Sequence, residues 1–146
     1  RWGGLGNHRY PIGFSGDTHV TWQSLAFQPY FTATAANVGY GWWSHDIGGH
    51  MSGVEDPELY VRWLQYGVFS PILRLHSSLN PYSERRPWGW GADIEEPACD
   101  AMRLRHTLIP YIYTMARRNH AENRPLVRPM YHAYPAEEAA YHCPEQ

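Results

Sequence analysis

The chain has 146 residues, a formal net charge of −2, and twelve basic residues that are all arginine and are spread along it without a cluster. A protein that binds nucleic acid carries a basic patch or stripe, so nucleic acid is not an expected partner. No apolar run approaches the roughly 20 residues that a membrane-spanning helix needs, so a membrane is not expected as a partner either.

Aromatic residues are frequent for a chain of this size, with 7 Trp and 11 Tyr. Many of these rings must fill a hydrophobic core, because they are the largest apolar side chains available. Sugar rings also carry an apolar C–H face that stacks on aromatic rings. An aromatic-rich site with carboxylates therefore favours carbohydrate over phosphate as the ligand.

Three strand-like stretches each end near a polar residue. Residues 11–14 lead to Asp17, residues 38–43 lead to Asp46, and residues 68–76 end on His76. Asp17 and Asp46 are 29 positions apart, and Asp46 and His76 are 30 apart. A strand, a helix and two short loops need about 30 residues to return a parallel strand to its starting end. The spacing predicts an α/β fold in which the three side chains meet at one rim of a barrel.

Helices are expected between these strands. The first spans residues 18–36, and Pro29 is expected to kink or split it. The second begins at Asp56, whose carboxylate can cap the first amides, and ends at Gly67. Between the second strand and this helix lies a loop, residues 47–54, that holds several glycines and is expected on the rim.

The third strand is followed by a long loop, residues 77–93, which two tryptophans suggest is ordered. A last helix is expected to open at Glu95, with a kink at Pro110. From residue 123 the amino-acid sequence becomes rich in proline. We therefore predict two domains: residues 1–122 form part of a catalytic barrel, and residues 123–146 form a linker and the start of a C-terminal β domain.

A closed barrel of eight βα units needs about 250 residues, so the first domain can hold only about three units. The chain also opens on Arg1 rather than on methionine. We expect it to be an excerpt of a longer enzyme, whose remaining barrel lies upstream of residue 1 and is its structural partner.

Hydrolysis of a glycosidic bond normally takes two carboxyl groups, and Asp17 and Asp46 are the candidates at strand ends. Each could instead be an ordinary helix cap or turn residue.

A metal site built from His45, Asp46, His50 and His76 is a further alternative, since zinc accepts this mix of donors. The order His-Asp-x-x-x-His is not a strong signature, however, and we expect no metal and no cofactor.

Arg9 follows a glycine-rich stretch that we interpret as a rim loop carrying its guanidinium toward the pocket, although a structural ion pair is equally consistent with the sequence. Trp43 is a candidate substrate-binding residue. The alternative is that the four tryptophans near these sites belong to the core: Trp42, Trp43, Trp88 and Trp90. At least one of Trp42 and Trp43 should do so, because neighbours on a strand face opposite sides.

Four motifs occur in order along the first 80 residues: Gly-Asn-His-Arg-Tyr at 6–10, Gly-Phe-Ser-Gly-Asp at 13–17, Trp-Ser-His-Asp-Ile-Gly-Gly at 43–49 and Arg-Leu-His-Ser at 74–77. Together they resemble glycoside hydrolase family 31, which contains α-glucosidases, α-xylosidases and α-transglucosylases. The resemblance continues in general character to about residue 131.

The resemblance implies the C-terminal portion of a (β/α)8 TIM barrel and a retaining double displacement. Asp17 matches the general acid/base of the family. Arg9 and His76 match residues that hydrogen-bond hydroxyls of the sugar in the −1 subsite, and Asp46 matches a carboxylate of the same pocket. Phe14 matches an aromatic wall position that is often tryptophan in relatives of the lysosomal type.

The nucleophile of the family is an aspartate on an earlier strand, and no stretch of this chain matches its motif. The resemblance therefore makes Asp46 a binding residue and places the nucleophile upstream, so the chain alone should be inactive. The expected substrate is an oligosaccharide or glycoside with a terminal α-linked glucose. An α-xylosidase, an α-transglucosylase and a sugar-binding protein that has lost catalysis are the alternatives.

Overall fold

The computed structural model describes residues 6, 9–10, 12–80 and 83–144. Its regular elements in chain order are β1 (Ile12–Phe14), β2 (His19–Val20), α1 (Trp22–Thr34), β3 (Trp42–Ser44), β4 (Met51–Gly53), α2 (Pro57–Gly67), α3 (Ala92–Thr107) and α4 (Ile109–Glu122). Short 3-10 turns occur at Ala35–Val38, Pro87–Gly89, Met130–His132 and Glu138–His142. No helix in these ranges is both long enough and apolar enough to cross a membrane.

The first two predicted strands form a parallel pair. Strand β1 lies beside β3 with Gly13 opposite Trp43 and Phe14 opposite Ser44. A Cβ atom on Gly13 would lie 2.7 Å from the ring of Trp43, so the strands can approach only because this residue is glycine. Helix α1 makes the crossover between them, which confirms the predicted strand–helix–strand unit.

The third predicted strand is shorter than residues 68–76. Its regular pairing is limited to a parallel bridge between Ile47 and Leu75, supported by hydrogen bonds from the Ile72 amide to the Trp43 carbonyl and from the Ile47 amide to the Arg74 carbonyl. Residues 69 and 70 turn back on the end of α2 through their amides. The extended segment 72–75 still runs parallel to β3, so its end lies at the same rim.

Helix α1 is continuous through Pro29, so of the two expected effects of this proline the split is wrong and the kink stays a prediction. A proline removes one hydrogen bond from a helix, and burial of Gln28, Thr32 and Ala33 against the rest of the fold offsets that loss. The Thr21 hydroxyl caps the helix by accepting a hydrogen bond from the Ser24 amide at 3.1 Å.

Helix α2 begins and ends where the sequence predicts. The Asp56 carboxylate accepts hydrogen bonds from the amides of Glu58 at 2.9 Å and Leu59 at 3.2 Å. Its second oxygen accepts one from the Trp22 indole at 2.9 Å, which ties the start of α1 to the start of α2. Helix α2 ends at Gly67, as expected.

The last predicted helix is two helices. Helix α3 begins at Ala92, three residues before the predicted start at Glu95, and α4 begins at Ile109, one residue before Pro110. The interruption falls where proline was expected to bend the chain, because the Pro110 ring excludes a regular hydrogen bond at that turn.

One pair of strands was not predicted. Strand β2, which follows Asp17, runs parallel to β4 in the glycine-rich loop, with His19 opposite Met51 and Val20 opposite Gly53. The loop that follows Asp46 is thereby fixed to the segment that follows Asp17.

The main core lies between α2 and α3. Trp63 and Leu64 of α2 are fully buried together with Ile47 and with Ala98 of α3. Ile47 is the residue after Asp46, so this core supports the rim directly from behind.

The last described segment forms no strand between residues 123 and 144. It packs on the 3-10 turn after α1. The side-chain amide of Asn37 donates a hydrogen bond from Nδ2 to the Tyr131 hydroxyl at 2.7 Å, and Nε2 of the His132 ring lies 2.8 Å from Asn37 Oδ1. The expected domain boundary near residue 122 and the following β domain stay predictions.

Candidate active site

Three neighbouring parallel segments deliver polar side chains to the same end of the sheet. Asp17 follows the end of β1 by three residues, and Asp46 follows the end of β3 by two. His76 comes directly after Leu75, the residue that bridges to Ile47. The predicted rim therefore exists in the fold, with Asp17 exposed, Asp46 buried and His76 half-buried.

Asp46 is at the centre of this group. Its side chain is 0% exposed, and its Oδ1 accepts a hydrogen bond from Arg74 Nη2 at 2.8 Å. Its Oδ2 lies 3.7 Å from Nδ1 of His50 and has no hydrogen-bond partner among the described residues. One oxygen is thus neutralised by a guanidinium while the other is left as an acceptor beside an imidazole.

Burial raises the pKa of Asp46 above its ordinary value. The positive charge of Arg74 opposes this rise in pKa, as do His76 and His50, whereas the carboxylate of Asp17 reinforces it. A second carboxylate, one guanidinium and two imidazoles therefore lie within electrostatic range of Asp46. A substrate hydroxyl entering this cluster would meet both hydrogen-bond donors and acceptors.

Arg74 joins two of the predicted substrate-binding residues, although it was not itself predicted. Besides its ion pair with Asp46, its Cζ lies 4.9 Å from the ring centroid of Phe14, which is a cation–π distance. The Arg-Leu-His motif could have indicated this role of Arg74. In an extended segment, residues two positions apart lie on the same face, so Arg74 faces the same side as His76.

His50 is a second residue that was not predicted to bind substrate. Its ring lies against that of His76, with centroids 4.8 Å apart. Its backbone is held on both sides, because its amide donates to the Thr18 carbonyl at 2.6 Å and its carbonyl accepts from the Ser78 amide at 2.9 Å. The rim loop is therefore ordered where it approaches the cluster.

His45 lies outside the cluster. Its side chain is 0% exposed and packs against the rings of Trp63 and Tyr66, at centroid distances of 6.5 and 5.4 Å. Burial, with a contribution from Arg74, lowers the pKa of His45 to about 4, so the ring is neutral at physiological pH. The hypothesis of a metal site that includes His45 beside Asp46, His50 and His76 is therefore wrong for His45.

Trp43 lies on the opposite face of β3 from Ser44, against α1. It is 5% exposed and packs edge-on against Phe31 and tilted against Tyr40, at centroid distances of 5.0 and 5.6 Å. This placement favours the core alternative over direct contact with a sugar.

A cavity of about 660 Å³ lies on the α1 side of the strand pair and is lined by Asp17, Trp43 and mostly apolar neighbours. Asp46, His50 and His76 do not line it. Phe14 also lines the cavity, as do three further polar residues, Ser15, Thr34 and Tyr40, so Asp17 lies between two groups of polar side chains.

Arg9 lies in an exposed turn in which its amide donates to the Gly6 carbonyl at 3.0 Å. Its contact with a sugar stays a prediction.

Arg85 fixes the long loop to the rim. Its side chain is 7% exposed, and its guanidinium donates two hydrogen bonds to the Gly49 carbonyl, at 2.8 and 3.2 Å. Its own carbonyl accepts a hydrogen bond from the Tyr60 hydroxyl at 2.9 Å. The ring of Trp90 stacks on Tyr60, as expected for an ordered loop, whereas Trp88 is exposed.

A parallel βα repeat carries acids and histidines at one rim, and comparison with known proteins shows the family in which this arrangement occurs. The model of the glycosyl hydrolases family 31 TIM-barrel domain matches residues 1–115. An α-xylosidase of Emericella nidulans is 34% identical over 94% of this chain, and a probable glucan 1,3-α-glucosidase of Arabidopsis thaliana is 35% identical over 93% of it.

Solved structures give the same result. A family 31 dextranase of Flavobacterium johnsoniae, in complex with glucose, superposes with a TM-score of 0.82 at 32% identity over 91% of this chain. The chain belongs to glycoside hydrolase family 31. It spans 17% and 14% of the lengths of the two sequence relatives and 17% of the dextranase chain.

Proposed function

We propose that this chain supplies the acid/base and part of the sugar-binding pocket of a retaining glycoside hydrolase that cleaves terminal α-linked glucose. It forms the C-terminal portion of the barrel, and the nucleophile comes from another part of the protein. The observation that carries this proposal is the convergence of Asp17, Asp46 and His76 at the end of adjacent parallel segments.

The burial of each side chain suits its proposed role. Asp17 is exposed and can reach a glycosidic oxygen, which it protonates before it deprotonates the incoming water. Asp46 is buried and ion-paired, and its free Oδ2 is an acceptor for a sugar hydroxyl. His76 hydrogen-bonds a second hydroxyl.

The remaining residues shape the pocket. Phe14 provides an apolar wall whose ring is fixed by Arg74. Arg9 completes the pocket from the preceding loop, and Trp43 supports β3 from behind rather than touching the sugar. Strand β1 is an edge strand in the described sheet, and a preceding βα unit would cover it in a closed barrel.

The acid/base role is tested by Asp17→Ala in the full-length protein, with aryl α-glucosides of differing leaving groups. General acid catalysis contributes about 10²- to 10⁴-fold, and an activated leaving group does not need it. The variant should lose turnover of the poor leaving group and keep the first step with the activated one. Asp100→Ala, at an exposed acid paired with Arg103 on α3, is the matched control and should act as wild type on both. Equal losses on both substrates would remove Asp17 from the role.

The sugar preference is tested by comparing aryl α-glucoside with aryl α-xyloside. We favour glucose, although one of the relatives is named as an α-xylosidase and another as a glucosidase. A higher kcat/KM on the xyloside would establish the xylosidase alternative, and transfer of the glucosyl group to a second sugar would establish the transglucosylase. Sugar binding without any turnover would indicate a binding protein.

A further inference from the structure

The sequence Asp46-Ile47-Gly48-Gly49-His50 folds into a turn that brings an imidazole back over a carboxylate. Both glycines have positive φ, at +94° and +81°, which side chains other than glycine rarely adopt. The Gly49 amide donates to the Asp46 carbonyl at 2.9 Å and closes the turn. His50 Nδ1 is thereby held 3.7 Å from Asp46 Oδ2.

A third donor reaches the same point from the neighbouring segment. Asp46, His50 and His76 each offer one ligand atom, and these atoms lie within 4.8 Å of one another. Ligands of a tetrahedral zinc ion, bound at about 2.0–2.1 Å, are about 3.4 Å apart, so small rotations of the two rings would complete the geometry. Neither Asp46 Oδ2 nor His50 Nδ1 has a hydrogen-bond partner among the described residues, and Asp46 is 0% exposed.

We propose that Asp46, His50 and His76 bind a divalent transition-metal ion of the zinc type, and that this ion occupies the place of the sugar and inhibits the enzyme. Two imidazoles and one carboxylate suit zinc or cobalt, whereas magnesium and calcium prefer oxygen ligands. Arg74 binds only Oδ1 of Asp46 and leaves Oδ2 for the metal. Asp17 adds a second negative charge close enough to influence Asp46.

The site and its inhibitory effect are separable. Metal binding depends only on the three side chains, whereas competition with a sugar rests on the proposed function, in which Asp46 and His76 hold the sugar. The two groups of ligands share two residues, so sugar and metal should exclude each other.

The test is titration of the metal-free, full-length protein with Co²⁺, a spectroscopic substitute for zinc, followed by its visible absorption, and with Zn²⁺ by calorimetry. Wild type should show a saturable site, and glucose should displace the ion. His50→Phe keeps the ring that stacks on His76 but removes the ligand nitrogen. Loss of an outer-sphere partner alone weakens metal binding about 10- to 100-fold, and loss of a ligand should cost at least as much.

His142→Phe makes the same change in an exposed pair, in which Nε2 of His142 lies 3.1 Å from Glu138, and should leave the titration unchanged. His76→Gln provides a second loss-of-ligand variant if His50→Phe does not fold by circular dichroism. Absence of a saturable site in wild type, or wild-type affinity in a folded ligand variant, overturns the metal site. Binding that glucose does not weaken overturns the shared location.

The result of the metal titration is independent of the proposed function. A protein that binds Co²⁺ here but hydrolyses no α-glycoside would retain the metal site and refute the hydrolase. If the protein hydrolyses α-glycosides, and neither Co²⁺ nor Zn²⁺ changes its activity or its visible absorption, the hydrolase is retained and the metal site is refuted.

Discussion

The burial of His45 makes a quantitative prediction about the pH dependence of stability. The side chain is 0% exposed, and neither ring nitrogen has a hydrogen-bond partner among the described residues. Burial lowers the pKa of His45 to about 4, whereas an unfolded histidine titrates near 6.5. Between these two pH values the unfolded chain binds a proton that the folded chain does not. Stability from this residue is therefore complete above about pH 6.5, falls as the pH drops, and levels off below about pH 4.

The size of the effect follows from the two pKa values. Between pH 7.5 and pH 5.0 the loss is about 2 kcal/mol, and it approaches about 3 kcal/mol below pH 4. The variant His45→Phe cannot titrate and places an apolar ring against Trp63 and Tyr66. Relative to wild type, it should therefore gain about 2 kcal/mol in free energy of unfolding over the same pH interval.

The assay is thermal or urea unfolding of the full-length protein at both pH values, because all other titrating groups cancel in the difference between variant and wild type. The matched control is His142→Phe, since His142 is exposed and should give the same pH dependence as wild type. Parallel pH dependences for His45→Phe and wild type would show that folding does not lower the pKa of His45.

Two further substitutions test the frame of the site. Arg74→Met should leave the buried carboxylate of Asp46 without its cation. The loss of this ion pair should lower the free energy of unfolding by about 1–3 kcal/mol and raise KM. An unchanged KM would show that the ion pair does not shape the pocket. Gly13→Val should cost about 1–3 kcal/mol by overpacking, because its Cβ would lie 2.7 Å from the ring of Trp43. Val at this position with wild-type stability would mean that β1 does not approach Trp43 so closely.

The repeat and the helix signals were predictable because they depend on local sequence. The spacing of Asp17, Asp46 and His76 indicated their common rim, since parallel strands return at a fixed interval. Asp56 before proline marked the start of α2, and Gly67 marked its end. These features need no knowledge of the tertiary contacts.

The remaining features depend on contacts between distant segments. The β2–β4 pair was missed because β4 consists of Met, Ser and Gly, with Ser52 at φ 49°, and carries no strand signal. The ion pair of Arg74 with Asp46 joins side chains 28 positions apart, and its partner could not be chosen from the sequence. Which of Trp42 and Trp43 faces the core could not be chosen either, because the two adjacent residues of the strand are both tryptophan.

A crystal structure of the full-length protein with glucose, or with a slowly cleaved α-glucoside, would show whether Asp17, Asp46 and His76 face the same sugar. We expect hydroxyls of one sugar ring to be hydrogen-bonded to Asp46 and His76, with the carboxyl group of Asp17 within about 3 Å of the anomeric or glycosidic oxygen. A sugar bound instead in the cavity beside Trp43, or one held at Asp46 with Asp17 turned away from it, would contradict the account.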